Sequence, residues 1–397
     1  MRIAINGTGI AGPTLAWWLK KYGFEPVLFE QAPELRTGGY MIDFWGIDYE
    51  IAEKMGVMPE LQKKGYLMEA LHMVDKQGGR IASMNTENMR TLMDGRLLSI
   101  ARSDLAATIF HACEGVETRF GTHIIGVEDQ RDGVIVELSN GNTEKFDLVI
   151  GADGLHSQIR SLIFGKHEGC EYPVGAYVAA FTLPRYHPRH ELNYVAHAAT
   201  KRQVARVSQR DDKTLFLFTF RSEFMEQKPK NEEEKKALLR SVFADMDWEV
   251  PAILARLDEA EDFYYDSVSQ IRLDHWSKGR IALLGDAAAC VSLLAGEGTG
   301  LAIVEAYVLA GELHRANGDH VVAFRKYEEI LHAELVRKQK SALRMLAFFA
   351  PNSRFQAFLI RKIIRVSSIP LFTKRFIEYS LKDNFEIPNY NYTESIK

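Results

Sequence analysis

Cysteine is scarce in this chain: Cys113, Cys170 and Cys290 are its only thiols in 397 residues. So few and so scattered, they build neither a disulfide framework nor a zinc site, and a reducing cytoplasm is the expected compartment. Each is expected to be a small packed residue rather than a nucleophile. Positive charge is not in excess either. A net charge of −4 and a pI near 6.3 leave no electrostatic footprint for nucleic acid. No apolar run reaches the roughly 18 residues that a transmembrane helix needs, so no membrane span is expected. A strand pattern stands directly after Met1, where a signal peptide would carry its charged and apolar regions, and no secretory leader is expected. Repeats and low-complexity tracts are lacking. What remains is a globular composition, 46% hydrophobic and 26% charged, long enough to bury a sizeable core in two domains.

What the chain does have is glycine at the ends of apolar runs. Met1-Arg2-Ile3-Ala4-Ile5 is a short strand pattern, and Gly7-Thr8-Gly9-Ile10-Ala11-Gly12 follows in G-x-G-x-x-G spacing. Gly7 allows a tight turn, Gly9 lets backbone approach a pyrophosphate, and Gly12 lets the next helix pack on the strand. Pro13 suits a first helical turn, so a helix is expected from Pro13 to Tyr22, its amide end and positive dipole end toward the phosphates. The second strand, Pro26-Val27-Leu28-Phe29-Glu30, ends in a carboxylate 18 residues after Gly12. That is near the interval of about 20 for a ribose-hydroxyl acceptor. A glycine loop alone could be a purely structural turn; with Glu30 it points to nucleotide binding. Two more apolar strands end in glycine-flanked aspartates, Asp153 in V-I-G-A-D-G and Asp286 in I-A-L-L-G-D-A-A. Together they point to one long nucleotide cofactor laid across the chain.

Between these motifs the pattern changes. Residues 39–100 carry Tyr40, Phe44 and Trp45, then the strand-like Ala70–Val74 ahead of a Gly78-Gly79 turn. Ala101-Arg102-Ser103-Asp104-Leu105 opens a helix through Ala112, with Ser103 or Asp104 as its cap. Residues 174–220 alternate apolar and polar and are rich in aromatics, as in an antiparallel sheet, and a charged helix is expected over 231–245. The expected fold class is α/β: a Rossmann-like parallel-sheet domain discontinuous in sequence (1–70, 101–172 and 271–320), an inserted, mostly antiparallel β-sheet domain (71–100 and 173–270), and C-terminal helices over 321–397. Pro351 and Pro370 punctuate those helices.

Four motifs in this order resemble the class A FAD-dependent aromatic monooxygenases related to para-hydroxybenzoate hydroxylase. The likeness covers about residues 1–315: Gly7–Gly12 with Glu30, Arg102-Ser103-Asp104-Leu105, the run Gly151–Arg160, and Gly285-Asp286 with Gly296-Glu297-Gly298. Within that family the chain is most similar to the tetracycline-inactivating flavoenzymes, in Gly175–Thr182 and Asp262–Asp266. The resemblance implies FAD bound by Gly7, Gly9, Ile10, Ala11, Gly12, Glu30, Gln31, Arg36, Arg102, Asp153, Gly154, Gly285, Asp286, Gly296, Gly298, Thr299 and Gly300. It puts Asp286 and Arg102 along the ribityl and phosphate part, and Asp153-Gly154 beside the cofactor and passing NADPH. The competing structural roles are a helix cap for Asp286 and a surface ion pair for Arg102. The loop Ala287–Gly300 would run beneath the flavin, with a helix from about Thr299 aiming its positive end at the N1–C2 edge, where reduced flavin is anionic. Ala289 stands where these relatives commonly have histidine or tyrosine, and Val291–Leu294 lacks their customary proline, so a loop of different shape or flexibility is expected.

The implied reaction is hydroxylation of an electron-rich aromatic or polyketide substrate. NADPH reduces FAD, O2 adds at C4a, and substrate carbon takes the distal oxygen of the C4a-hydroperoxyflavin. Tetracycline-type antibiotics are the narrow substrate candidates, which would mean inactivation and resistance. No side-chain nucleophile is required, so no catalytic residue is assigned and no metal is expected. Substrate contacts are expected from Leu293 and Leu294 in the loop and from Tyr177, Phe218 and Phe220 in the sheet, where ordinary sheet core is the competing role. The same cofactor loops would serve a FAD oxidoreductase that inserts no oxygen, or a catalytically silent ligand-binding flavoprotein. The C-terminal helices, with Arg344, Arg354, Arg361, Lys362 and Arg365, would brace the domains or form a basic amphipathic membrane-surface helix. A monomer or weak dimer is expected.

Overall fold

A computed structural model describes residues 1–36, 38–165, 169–187, 191–260, 262–292, 296, 298–367 and 386–390. The first strand, Arg2–Asn6, pairs in parallel with Glu25–Glu30 on one side and Leu148–Gly151 on the other. Ile3, Ala4 and Ile5 are fully buried, as an unbroken apolar run must be in a sheet covered on both faces. The six-stranded sheet runs Ser277–Lys278, Ile281–Leu283, Leu148–Gly151, Arg2–Asn6, Glu25–Glu30, Glu117–Phe120. Its pairs are parallel apart from the edge hairpin of Ser277–Lys278 with Ile281–Leu283. Strands distant in sequence thus lie side by side, and their loops leave one sheet end together.

The helix after the glycine loop spans Ala11–Lys21, two residues earlier than Pro13 marks. Pro13 still falls in the first turn, where a missing N–H costs nothing. The helix Arg102–His111 corrects the cap expectation. Strand Leu97–Ala101 runs straight into it, extended Ala101 is the N-cap residue, and Ser103 and Asp104 already lie inside the first turn.

The second large sheet has seven strands in the order Tyr264–Ile271, Glu171–Pro184, Lys213–Arg221, Arg202–Ser208, Asn193–Ala199, Ala70–Val74, Arg80–Asn85. It is antiparallel except where Asn193–Ala199 meets Ala70–Val74 in parallel. One face carries Phe181, Phe216, Phe218 and Phe220 against the helix Glu232–Phe243. The other packs Val178 and Val268 against Leu346 and Ala350 at the end of a long helix, His320–Phe349. That helix also touches the first sheet: Glu328 accepts from Trp276 N (2.9 Å) and Ser277 Oγ (2.7 Å) beside the edge hairpin. It therefore braces both sheets. A last described helix, Arg354–Ser367, lies across the outer strand Arg80–Asn85. No described helix is long and apolar enough to cross a membrane.

Candidate active site

The glycine loop is built by close approach. Gly7 has φ +114°, and a Cβ there would stand 2.4 Å from the Ala152 carbonyl oxygen; at Gly12 it would stand 2.0 Å from the Gly7 oxygen. Only glycine lets these segments meet. Gly9 differs, because the nearest atom to a Cβ would be Arg102 Nη2 at 4.0 Å. Its backbone faces open space, and the guanidinium at the start of the helix Arg102–His111 shares that space. Glu30, 8% exposed, closes the loop from below: it accepts from Thr8 N (3.0 Å), Thr8 Oγ1 (2.8 Å) and Ala32 N (2.9 Å), with Arg36 Nη2 at 3.8 Å.

The two aspartate turns leave adjacent parallel strands. Asp153 accepts from Asn6 Nδ2 (3.2 Å), Gln158 N (2.8 Å), Ile159 N (3.1 Å) and Ser157 Oγ, so it ties the first strand to the helix Gln158–Phe164. Asp286 is the first residue of the short helix Asp286–Ala289, whose N-cap is Gly285 and which has no side-chain cap. The Cys290 thiol, held neutral by burial, shares a hydrogen bond with Asp286, and the Cys113 thiol is likewise pushed up to about 12 by burial. These two cysteines are packed residues. Arg160, 6% exposed, joins the turns by donating to Leu155 O (2.7 Å) and Ala287 O (3.2 Å).

Behind Asp286 sits a group that the sequence did not flag. Glu305, buried in the helix Gly298–Arg315, accepts from Gly285 N (2.7 Å) and Tyr327 OH (3.0 Å). Burial pushes its carboxyl up to about 8. Two buried glutamines hold the chain beyond Asp286: Gln270 donates to Val291 O (2.8 Å), and Gln339 to Cys290 O (3.1 Å) and Ile271 O (2.6 Å). The stretch without its customary proline is thus anchored through Val291, while Leu293 and Leu294 lie outside the described residues.

These parts enclose one cavity of about 420 Å³. Its wall contains Gly7, Gly9, Ile10, Ala11, Glu30, Gln31, Arg36, Arg102, Asp153, Gly154, Asp286, Gly296, Gly298 and Thr299. Gly12, Gly285 and Gly300 are not on that wall. They act through packing: a Cβ at Gly285 would lie 3.2 Å from Ala11 Cβ, and one at Gly300 2.4 Å from Asp48 Oδ2. The far wall is the edge strand Tyr264–Ile271 with Tyr264, Asp266, Ser267 and Ser269, faced by Tyr40 and His156. Tyr40 and Tyr264 lie 5.9 Å apart, and burial raises both phenols, that of Tyr40 to about 12, so both are neutral donors. His156 Nε2 lies 3.3 Å from both Asp266 oxygens, and that hydrogen bond raises its pKa.

The sheet aromatics stand elsewhere. Phe218 and Phe220 are fully buried, Phe218 meets Phe243 edge-on at 4.9 Å, and Tyr177 stacks on Phe220 and Tyr265. All three face the helix Glu232–Phe243 instead of the cavity. Alternation along a strand fixes this: Tyr177, opposite Phe220, shares its face, and the neighbouring face meets the long helix. Tyr264 and Asp266 reach the cavity because their strand is the sheet's edge.

Comparison with known proteins fits this geometry. The FAD binding domain family matches residues 1–320. A flavin-dependent monooxygenase from an unknown prokaryotic organism is 37% identical over 84% of this chain and 85% of its own length. Another, from Legionella longbeachae serogroup 1 (strain NSW150), is 36% identical over 86% and 87%. The crystal structure of tetracycline destructase Tet(51) superposes with a TM-score of 0.84 at 31% identity, covering 98% of this chain and 99% of that one. Klebsiella pneumoniae HpxO complexed with FAD and uric acid, at 20% identity and a TM-score of 0.81 over 95% of each chain, shares the fold. The protein is an FAD-dependent oxidoreductase by fold and site. More narrowly, it belongs to the FAD binding domain family of flavin-dependent monooxygenases and resembles the tetracycline destructases. Its residues fit that cofactor: glycine backbone beside a guanidinium suits a pyrophosphate, and a helix start at Gly298 suits an anionic ring edge.

Proposed function

We propose that this monooxygenase consumes NADPH and O2 to hydroxylate an electron-rich phenolic or enolic substrate, with polycyclic tetracycline-type compounds as the substrate class. The supporting observation is a single cavity lined by the glycine loop, Arg102 and Asp286 together with Tyr40, Tyr264 and Asp266. FAD, when bound, supplies hydride acceptance and oxygen activation at C4a. The protein's residues do the rest. Gly9 and the helix start at Ala11 present amides to phosphate, with Arg102 as countercharge. Asp286 would hold the ribityl hydroxyls, and the start of the helix Gly298–Arg315 would favour negative charge on the ring. The neutral phenols of Tyr40 and Tyr264 and the carboxylate of Asp266 would anchor polar edges of the substrate. In this reading residues 1–70, 101–172 and 271–320 hold FAD, 71–100 and 173–270 form the substrate side, and the enzyme works in the cytoplasm.

The test is substrate-stimulated NADPH oxidation by the FAD-loaded protein, screened against tetracyclines and simple phenols under isotopically labelled dioxygen. Label in the product supports the reading. NADPH oxidation with no labelled product for any substrate would leave an oxidoreductase without oxygen insertion, and no turnover at all would leave a ligand-binding flavoprotein.

A further inference from the structure

Most exposed large apolar side chains here are scattered, but four share one helix. On Arg354–Ser367, Phe355 is 69% exposed, Phe358 51%, Leu359 43% and Ile363 58%. At about 100° per residue they fill an arc of roughly 140°. Ile360 and Ile364 are buried on the opposite side against Met73, Ala82, Ala196 and Ala198. One side of the helix is therefore docked on the seven-stranded sheet and the other is apolar and open. Contiguous exposed apolar surface of this kind marks an interaction site.

Charge says what fits it. Residues 354–367 contain Arg354, Arg361, Lys362 and Arg365 and no Asp or Glu. The three arginines fall on one stripe bordering the apolar arc. Lys362 lies within the arc, its Nζ 5.5 Å from the centre of the Phe358 ring, a stem along apolar surface with its charge at the tip. Arg365 is fixed beside the helix by donating to Ile81 O (2.8 Å). An apolar face with cations and no anions is the pattern of a helix lying in the headgroup layer of an acidic bilayer. A second copy of this helix would fit poorly, since it would bring like charges face to face. The helix packs on the outermost strand of its sheet.

We propose that the Arg354–Ser367 helix docks this enzyme on an anionic phospholipid surface through Phe355, Phe358, Leu359 and Ile363. The FAD-loaded full chain is sedimented with vesicles of phosphatidylcholine alone and of phosphatidylcholine with phosphatidylglycerol, at low and high salt. Binding is expected to the anionic vesicles, weakening as salt rises. Phe358→Glu with Leu359→Glu, both at exposed positions, is expected to lower vesicle affinity by about tenfold or more with unchanged flavin content and helical circular dichroism. Lys362→Glu acts in the same direction. Absence of binding to anionic vesicles, or equal binding by the double variant, overturns the proposal. So does self-association or capture of an acidic peptide that the double variant abolishes, without vesicle binding.

Discussion

The turns at Asp153 and Asp286 leave neighbouring strands of one parallel sheet, and both reach the cavity, but their surroundings differ. The Asp153 carboxylate takes hydrogen bonds from Asn6, Ser157, Gln158 and Ile159 and so belongs to the scaffold. The Asp286 carboxylate has the Cys290 thiol beside it and its Oδ1 would lie 3.6 Å from a Cβ at Gly298, and its turn is held instead through backbone, by Glu305 on the Gly285 amide. A glycine-flanked aspartate can thus be a fastener, as Asp153 is, while the proposed function makes Asp286 a ligand. The difference lies in whether its own chain has saturated its lone pairs.

Unfolding of the apoprotein in urea separates the two turns. Asp153→Ala leaves two helix-start amides and the Asn6 amide without their acceptor, and a loss of about 3 kcal/mol is expected. A loss under about 1 kcal/mol would remove its fastening role. Glu305→Ala orphans the buried Gly285 amide and leaves the Tyr327 hydroxyl only its longer contact to Leu283 O (3.3 Å), and should cost about 2 kcal/mol. Its pH dependence sharpens the point. The folded carboxyl titrates at about 8, against an ordinary 4.5. The folded state therefore keeps the proton to higher pH, and this contribution to stability is full below about 4.5 and lost as pH rises through about 8. Glu305→Gln should flatten the decline; an unchanged slope sinks the assignment. Asp286→Ala should change apoprotein stability by less than about 0.5 kcal/mol and weaken FAD affinity by about a hundredfold, read by flavin fluorescence titration. Equal FAD affinity in variant and wild type would make Asp286 a second fastener.

Much of this was legible in the chain. Strand–glycine–helix punctuation is local, so the parallel sheet and its discontinuity follow from spacing, and residues that the family resemblance marked, such as Gly9, Arg102 and Asp286, line one cavity. The far wall was not. Whether Phe218 or Tyr264 meets a ligand depends on which strand ends at the sheet edge and which face the helices cover, and alternation alone gives two equivalent faces. Glu305 was hidden differently: an acid within an apolar helix resembles an interrupted stripe until the Gly285 amide is seen above it. Arg160, quoted only as the end of a motif, proved to join the two turns.

The smallest expected effect concerns the pair that joins the Asp153 turn to the edge strand Tyr264–Ile271. His156 and Asp266 pair across the cavity, but His156 is 63% exposed, so solvent screens most of the attraction. The hydrogen bond raises the imidazole pKa above its ordinary 6.5. A raised histidine contributes stability that is complete below that ordinary value and disappears as pH climbs past the folded one. His156→Asn should remove a shallow decline in thermal midpoint that begins only above about pH 6.5, a window distinct from the Glu305 slope, which starts two units lower. If the decline above neutrality survives in His156→Asn and vanishes in Glu305→Gln, the His156–Asp266 pair contributes nothing measurable, and the edge strand is held to the cofactor-loop side through contacts such as Gln270 to Val291 O.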